Sequence, residues 1–316
     1  MDDPNDTSCN STRRLAFSGL ARKGTQIILA ATGGHHDYSG NEVTGINLGA
    51  DVPGWALFHA PSPADKVVQN ASYYLDGLPS ARHAYGHAHF STTRNRLMLH
   101  ASRFVYGSGV TFFASNGFNL DTNRWDPAGT WNDGYAPVCR DERDNVWASS
   151  GYFHLYKWDP AADRWTETGY FANAIYGPLA HDTNRDILFQ LAWGNGQADG
   201  VGVSAYKYNA YGSVQTPITF TLNTAYSRFQ DDKPAYASMV FDPNGDRFLF
   251  WDGASGRLYE IKANSGNVWD INIVTTTGIV PPPASGNYGR MAYLPELRGC
   301  VFMPSGHQNL YFIRLA

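Results

Sequence analysis

The stretch "YASMVFDPNGDRFLFWDG", Tyr236 to Gly253, reads as a β-hairpin. An aromatic and a small residue lead into a short strand, a turn of Pro, Asn, Gly and Asp follows, and a second, apolar strand ends at Gly. Those turn residues either preset φ or bond their own backbone, so they reverse a chain that the flanking residues keep extended. The same order recurs five times more. It appears as "FSGLARKGTQIILAATGG" from Phe17, "YGHAHFSTTRNRLMLHAS" from Tyr85 and "YAPVCRDERDNVWASSG" from Tyr135. It appears again as "YGPLAHDTNRDILFQLAWG" from Tyr176 and "YGRMAYLPELRGCVFMPSG" from Tyr288.

A third strand rich in β-branched and aromatic residues follows in five units ("EVTGINL", "FHLYKWD", "VGVSAYKYN", "RLYEIK", "LYFIRL"), and "VTFFASNGFNL" takes its place in the second. A turn and a tryptophan then come at Trp125, Trp165 and Trp269, with Trp55 in a similar position. Four antiparallel strands repeated about every 50 residues make a β-propeller blade. A β-sandwich would not need six repeats in one register. The fold class is therefore all-β: one propeller domain over residues 1–316, with six four-stranded blades visible. A seventh would have to come from the N-terminal segment or from the 59–81 insertion, which sits between the first and second blades. The last unit stops after its third strand, so a strand from before Phe17 is expected beside "LYFIRL", closing the ring and covering an open sheet edge. That arrangement leaves Cys9 two strands from Cys300, too far to bridge.

Composition narrows the function classes. Charged residues are 16% of the chain, against roughly 25% in typical soluble domains. The net charge of −4 argues against a nucleic-acid surface, which needs a basic field. No apolar run approaches the roughly 18 residues of a membrane span. Three cysteines without C-x-x-C spacing form neither a zinc ribbon nor a disulfide scaffold. The N-terminus lacks a secretory layout, while Asn5, Asn10 and Asn70 head N-x-S/T triplets that a secreted protein could carry.

Two strings, "GGHHDYSGNEV" from Gly33 and "DGLPSARHAYG" from Asp76, resemble segments of bacterial and phage kelch-type, galactose-oxidase-like propellers. The resemblance implies a kelch-like propeller over nearly the whole chain, and more loosely the shape class of propeller polysaccharide lyases, which use His, Tyr and Arg in a cleft. Copper chemistry of the galactose-oxidase kind needs a Tyr–Cys cross-link, and no cysteine here lies in a motif for it.

Loops joining second to third strands, and loops leading into first strands, converge on one face of a propeller. His35 lies 18 residues after Phe17, Arg103 18 after Tyr85, and His307 19 after Tyr288. These three should hold equivalent places on neighbouring blades. The loop before the second blade adds Arg82, His83, Tyr85 and His87; Arg290 shares the register of His87. With His36 and Tyr38, they form a candidate site. Elimination at a uronate needs a cation against the carboxylate, a base and an acid. The expected assignment makes His35, His83, Tyr38 and Tyr85 catalytic. It makes His36, Arg82, His87, Arg103, Arg290 and His307 substrate-binding, with Trp193 and Tyr106 as stacking platforms. The expected partner is an extracellular polysaccharide or oligosaccharide, without cofactor. The other reading is a non-catalytic module that recognises a glycan or a protein through the same face. A third is a metal held by the His87-x-His89 pair with His35 and His36, though no Cys or carboxylate follows at zinc-like spacing.

Overall fold

A computed structural model describes residues 18–33, 38–83, 86, 88–100, 105–107, 114–141, 144–149, 154–170, 178–192, 204–209, 215–232, 237–253, 255–282, 289–304 and 309–315. Blade 1 consists of β1 (Ala21–Lys23), β2 (Gln26–Ala30), β3 (Val43–Asn47) and β4 (Trp55–His59). Blade 2 has β5 (Ala88–Ser91), β6 (Arg96–Leu99), β7 (Asn116–Asn119) and β8 (Arg124–Trp125). Blade 3 has β9 (Ala136–Arg140), β10 (Val146–Ser149), β11 (His154–Asp159) and β12 (Arg164–Tyr170). Blade 4 has β13 (Leu179–Asp182), β14 (Ile187–Ala192), β15 (Ser204–Asn209) and β16 (Gln215–Phe220). Blade 5 has β17 (Ser238–Asp242), β18 (Arg247–Asp252), β19 (Arg257–Lys262) and β20 (Val268–Ile273). Blade 6 has β21 (Met291–Leu294), β22 (Gly299–Phe302) and β23 (Tyr311–Arg314). Each blade is an antiparallel meander in chain order. The strand expected before Phe17 lies outside the described residues.

The second strands explain the ring. A strand buried on both faces reads as a continuous apolar run, and its alternate side chains point to opposite neighbours. In β2, Ile28 and Ala30 pack with Leu97 and Leu99 of blade 2, while Ile27 and Leu29 pack with Leu294 and Val301 of blade 6. In β18, Phe248 and Phe250 join Phe189 and Trp269 at the junction with blade 4, while Leu249 and Trp251 join Phe302 of blade 6. Met98, Val146 and Trp158 fill the junction of blades 2 and 3, and Trp147, Leu155 and Leu188 that of blades 3 and 4. One cluster thus occupies every junction, including that of blade 6 with blade 1, and the ring closes at six. The 59–81 insertion begins at His59, the last residue of β4, and adds no further blade strand; it holds a single 3-10 turn, Ala64–Lys66, and a bridge between Tyr73 and Pro79.

The hairpin turns behave as their residues dictate. Asp182 Oδ1 accepts the backbone N–H of Asn184 and Arg185 at 2.9 and 3.0 Å, and Asp242 Oδ1 does the same for Asn244 and Gly245. The last turn residue then takes left-handed φ, 55° at Asp186 and 51° at Asp246, which Asp and Asn tolerate better than most. These turns also tie blades together: Asp246 receives Asn184 and Arg185 of blade 4, and Asp144 receives Ser91 Oγ and the Thr93 N–H of blade 2. At the hub, the Arg140 guanidinium donates to the carbonyls of Gly86, Ala88 and Leu20, joining the inner edges of three blades.

Two features were not anticipated. The outer strands β16 and β20 pair in parallel, Thr219 with Val268 and Phe220 with Trp269, merging blades 4 and 5 into one eight-stranded sheet. Between those blades runs a helix, α1 (Thr224–Asp232), too short to show a sustained 3.6-residue pattern. Asn223 starts it by accepting the Tyr226 N–H at 2.8 Å, and Phe229 fastens it to the cluster between blades 4 and 5.

Candidate functional site

The loop face over blades 6, 1 and 2 is a polar layer built from four segments. Each end of the 33–42 loop is anchored. The Gly33 N–H donates to Ser18 Oγ at 3.2 Å, and at the far end Tyr38 Oη donates to Glu42 Oε1 at 2.9 Å. A Cβ on Gly40 would run into the Tyr38 ring and the Glu42 carboxylate, so a larger residue there would displace that hydrogen-bonded pair. The 59–81 insertion then clamps the loop from above. Asn41 donates to Ser62 Oγ and the Pro79 carbonyl, its own amide oxygen accepts the Ser62 N–H, and Tyr74 Oη donates to the Ser39 carbonyl at 2.6 Å. From blade 6, Arg290 Nε donates to the Ser18 carbonyl at 3.0 Å and Nη1 to the Pro304 carbonyl at 2.8 Å.

Arg82 stands at the centre of this layer, 1% exposed. Its backbone N–H bonds to the Ala31 carbonyl, and it bridges Thr32 on one side and Val105 on the other. The guanidinium donates to the carbonyls of Ser80 at 3.2 Å and Ala114 at 3.3 Å, while Nη2 meets no acceptor. Burial pushes its pKa down to about 10, partly offset by the neighbouring hydroxyls of Tyr73 and Tyr74. Asn116, also buried, donates to Tyr73 Oη at 3.0 Å, and its own amide oxygen has no donor. A buried cation with a spare N–H is costly unless something occupies it.

Among the expected site residues, the structure brings Tyr38, Arg82, His83 and Arg290 into one sector. All four are buried, and the contacts of Tyr38 and of both arginines are internal. His35, His36, Tyr85, His87, Arg103 and His307 lie outside the described residues, as does Trp193. Tyr106 is half-buried, its N–H and carbonyl tied to Ala81 and Asn70.

Three histidines outside the candidate site are packed or paired. His89, of the His87-x-His89 pair, is packed: its ring stacks on His100 at 5.1 Å, with neither nitrogen bonded. No group of three or more His, Cys, Asp or Glu suited to a metal exists among the described residues. His154 faces Glu167 at 2.8 Å, and His181 is held between Asp141 and Asp186 at 2.6 and 3.0 Å. Strand alternation could have paired His154 with Glu167 only once the β11–β12 register, shifted by a bulge, was known. Contacts between different blades, such as Arg290 of blade 6 with the Ser18 carbonyl ahead of blade 1, leave no local signal at all.

No protein-family model matches the chain. No curated protein matches it either. Among solved structures, that of YjhT superposes with a TM-score of 0.56 at 10% identity, over 96% of this chain and 95% of its own. The hydrazine synthase of Kuenenia stuttgartiensis does so with a TM-score of 0.53 at 10% identity, over 99% of both chains. At such identity the likeness concerns the fold, a propeller shared over almost the full length.

Proposed function

We propose that this protein is a kelch-like propeller that binds an acidic glycan on the loop face over blades 6, 1 and 2, in an extracellular setting. Arg82 is the observation that carries this reading. It is a cation fixed by two main-chain carbonyls with an N–H left over, in a layer that also holds His83, Tyr38 and Arg290. A carboxylate is the strongest acceptor that such a donor can be offered. Binding without bond cleavage is the function favoured by the internal contacts of Tyr38 and Arg290, which hold those side chains as struts.

Cleavage by β-elimination is the second reading, favoured by the adjacency of His83 to Arg82. In that reaction the guanidinium neutralises the uronate carboxylate and an imidazole removes the neighbouring carbon-bound proton. A tyrosine hydroxyl then protonates the departing oxygen. The test is incubation with a panel of acidic polysaccharides, measuring retention on immobilised glycan and near-ultraviolet absorbance of an unsaturated product. Retention that is weakened in Arg82→Lys supports recognition, and added absorbance that disappears in His83→Ala supports the lyase. Neither retention nor product with any acidic glycan overturns both.

A further inference from the structure

We propose that the rim between blades 2 and 3 carries a second carbohydrate subsite, for a neutral pyranose, built by Tyr135, Tyr156, His154 and Glu167. This rests on the glycan-binding reading above but uses no residue of that sector. Alternation along β11 points His154, Tyr156 and Trp158 away from Leu155, which packs toward blade 4. Trp158 fills the core with Met98 and Val146 of the blade 2–3 junction. Toward the loop face the same row emerges from the core, and Tyr156 and His154 are only half-buried.

There Tyr135, on the segment leading into β9, stacks on Tyr156 at 3.9 Å and 11°, and meets the edge of Trp165 at 5.9 Å. Glu167, opposite Tyr156 across the ladder, accepts from His154 Nδ1 at 2.8 Å and from Tyr156 Oη at 3.4 Å. His154 and Glu167 expose 36% and 48% of their side chains. The result is a partly open pair of aromatic rings beside a carboxylate that is oriented by two neighbours.

That combination fits a sugar ring. The C–H face of a pyranose is apolar and packs on a tyrosine, while its hydroxyls need acceptors at the ring edge. Each Glu167 oxygen accepts one hydrogen bond and has a second lone pair to offer. The rings hold each other in place, so binding would freeze little side-chain motion. The charge sign chooses the ligand: a carboxylate at this spot repels a uronate and accepts from a neutral sugar. With Arg82 selecting the acidic residue, the polymer recognised would contain both uronate and neutral units.

An array of neutral, purely acidic and mixed glycans tests this, with the full chain and its Glu167→Gln, Tyr135→Ala and Arg82→Lys variants. Glu167→Gln keeps the shape of the site, so it reads the carboxylate even if Tyr135→Ala perturbs folding. The expected result is binding to mixed glycans that weakens about tenfold in Glu167→Gln and in Tyr135→Ala, with purely acidic glycans retained as before. Failure to retain any glycan with neutral sugar, or equal retention by wild type and Glu167→Gln, overturns the subsite. If Arg82→Lys changes nothing while Glu167→Gln does, the acidic sector fails and the subsite stands.

Discussion

Acidification should loosen the junction between blades 2 and 3, and the cause is a pair of buried imidazoles. His89 and His100 are 3% and 0% exposed and stack at 5.1 Å with their planes 18° apart. Trp158 stands edge-on to both, at 5.3 and 4.9 Å, and Trp165 packs on His100 at 5.1 Å. One ring nitrogen, His100 Nδ1, meets Ser115 Oγ at 3.3 Å; the other three have no partner. Charging either ring would put a cation into an apolar cage, with Arg140 nearby. Burial accordingly pushes His100 down to about 3, and burial, His100 and Arg140 push His89 well below its ordinary value. In the unfolded chain both protonate near 6.5. Their contribution is thus whole above about pH 6.5 and is lost as pH falls toward the folded value, because the unfolded chain takes up protons that the native state refuses.

At pH 5, about 1.5 units below the unfolded value, the loss is about 2 kcal/mol per histidine, or about 4 kcal/mol together. That is a large share of a typical stability of 5–15 kcal/mol. Urea unfolding followed by tryptophan fluorescence at pH 7 and pH 5 measures it. His89→Leu is the informative variant: it sacrifices no hydrogen bond and removes one titrating group, so its loss on acidification should be smaller by about 2 kcal/mol. Carboxylates titrate alike in both proteins and cancel in the comparison. An identical acid sensitivity in His89→Leu and wild type would refute the argument that burial keeps these rings neutral.

Three further outcomes are expected. Arg140→Met should cost about 3 kcal/mol in urea unfolding, because the carbonyls of Leu20, Gly86 and Ala88 lose their donor at the hub. Asp242→Ala, which removes the acceptor of two turn N–H groups and of Arg247 Nε, should cost about 2 kcal/mol and leave the fluorescence of the native state unchanged. Gly45→Ala should lower the thermal midpoint by several degrees, since its Cβ would lie 2.6 Å from the Phe58 ring and 2.8 Å from the Ile27 carbonyl; Gly54→Ala, with open space around it, should leave the midpoint in place.

The blade repeat was legible because its signals are local. Asp182 and Asp242 cap their own turns within three residues, and the second strands are apolar throughout because both of their faces are covered. The same strand count gives the expectation of a shared loop face, six of whose ten candidate residues lie outside the described residues. Once strands are counted, register alone places the loops of blades 6, 1 and 2 on one face, and the chain of contacts from Arg290 through Ser18 and Gly33 joins blades 6 and 1 there, while the Thr32–Arg82 bridge joins blades 1 and 2. The roles of individual side chains were not legible. Arg82 is the same letter whether it faces a carboxylate or two main-chain carbonyls, and only the packing of the 59–81 insertion decides how deeply it is covered.

Residue order determined that this chain is a propeller of repeated antiparallel units, since turn chemistry and period-2 hydrophobicity act over a few neighbouring residues. Tertiary structure decided how the ring closes, the parallel seam between blades 4 and 5, the sealed His89–His100 pair and the Tyr135–Tyr156 stack beside Glu167. Each of those depends on the distance between groups far apart in the chain, and such distances are set by how whole blades pack against one another.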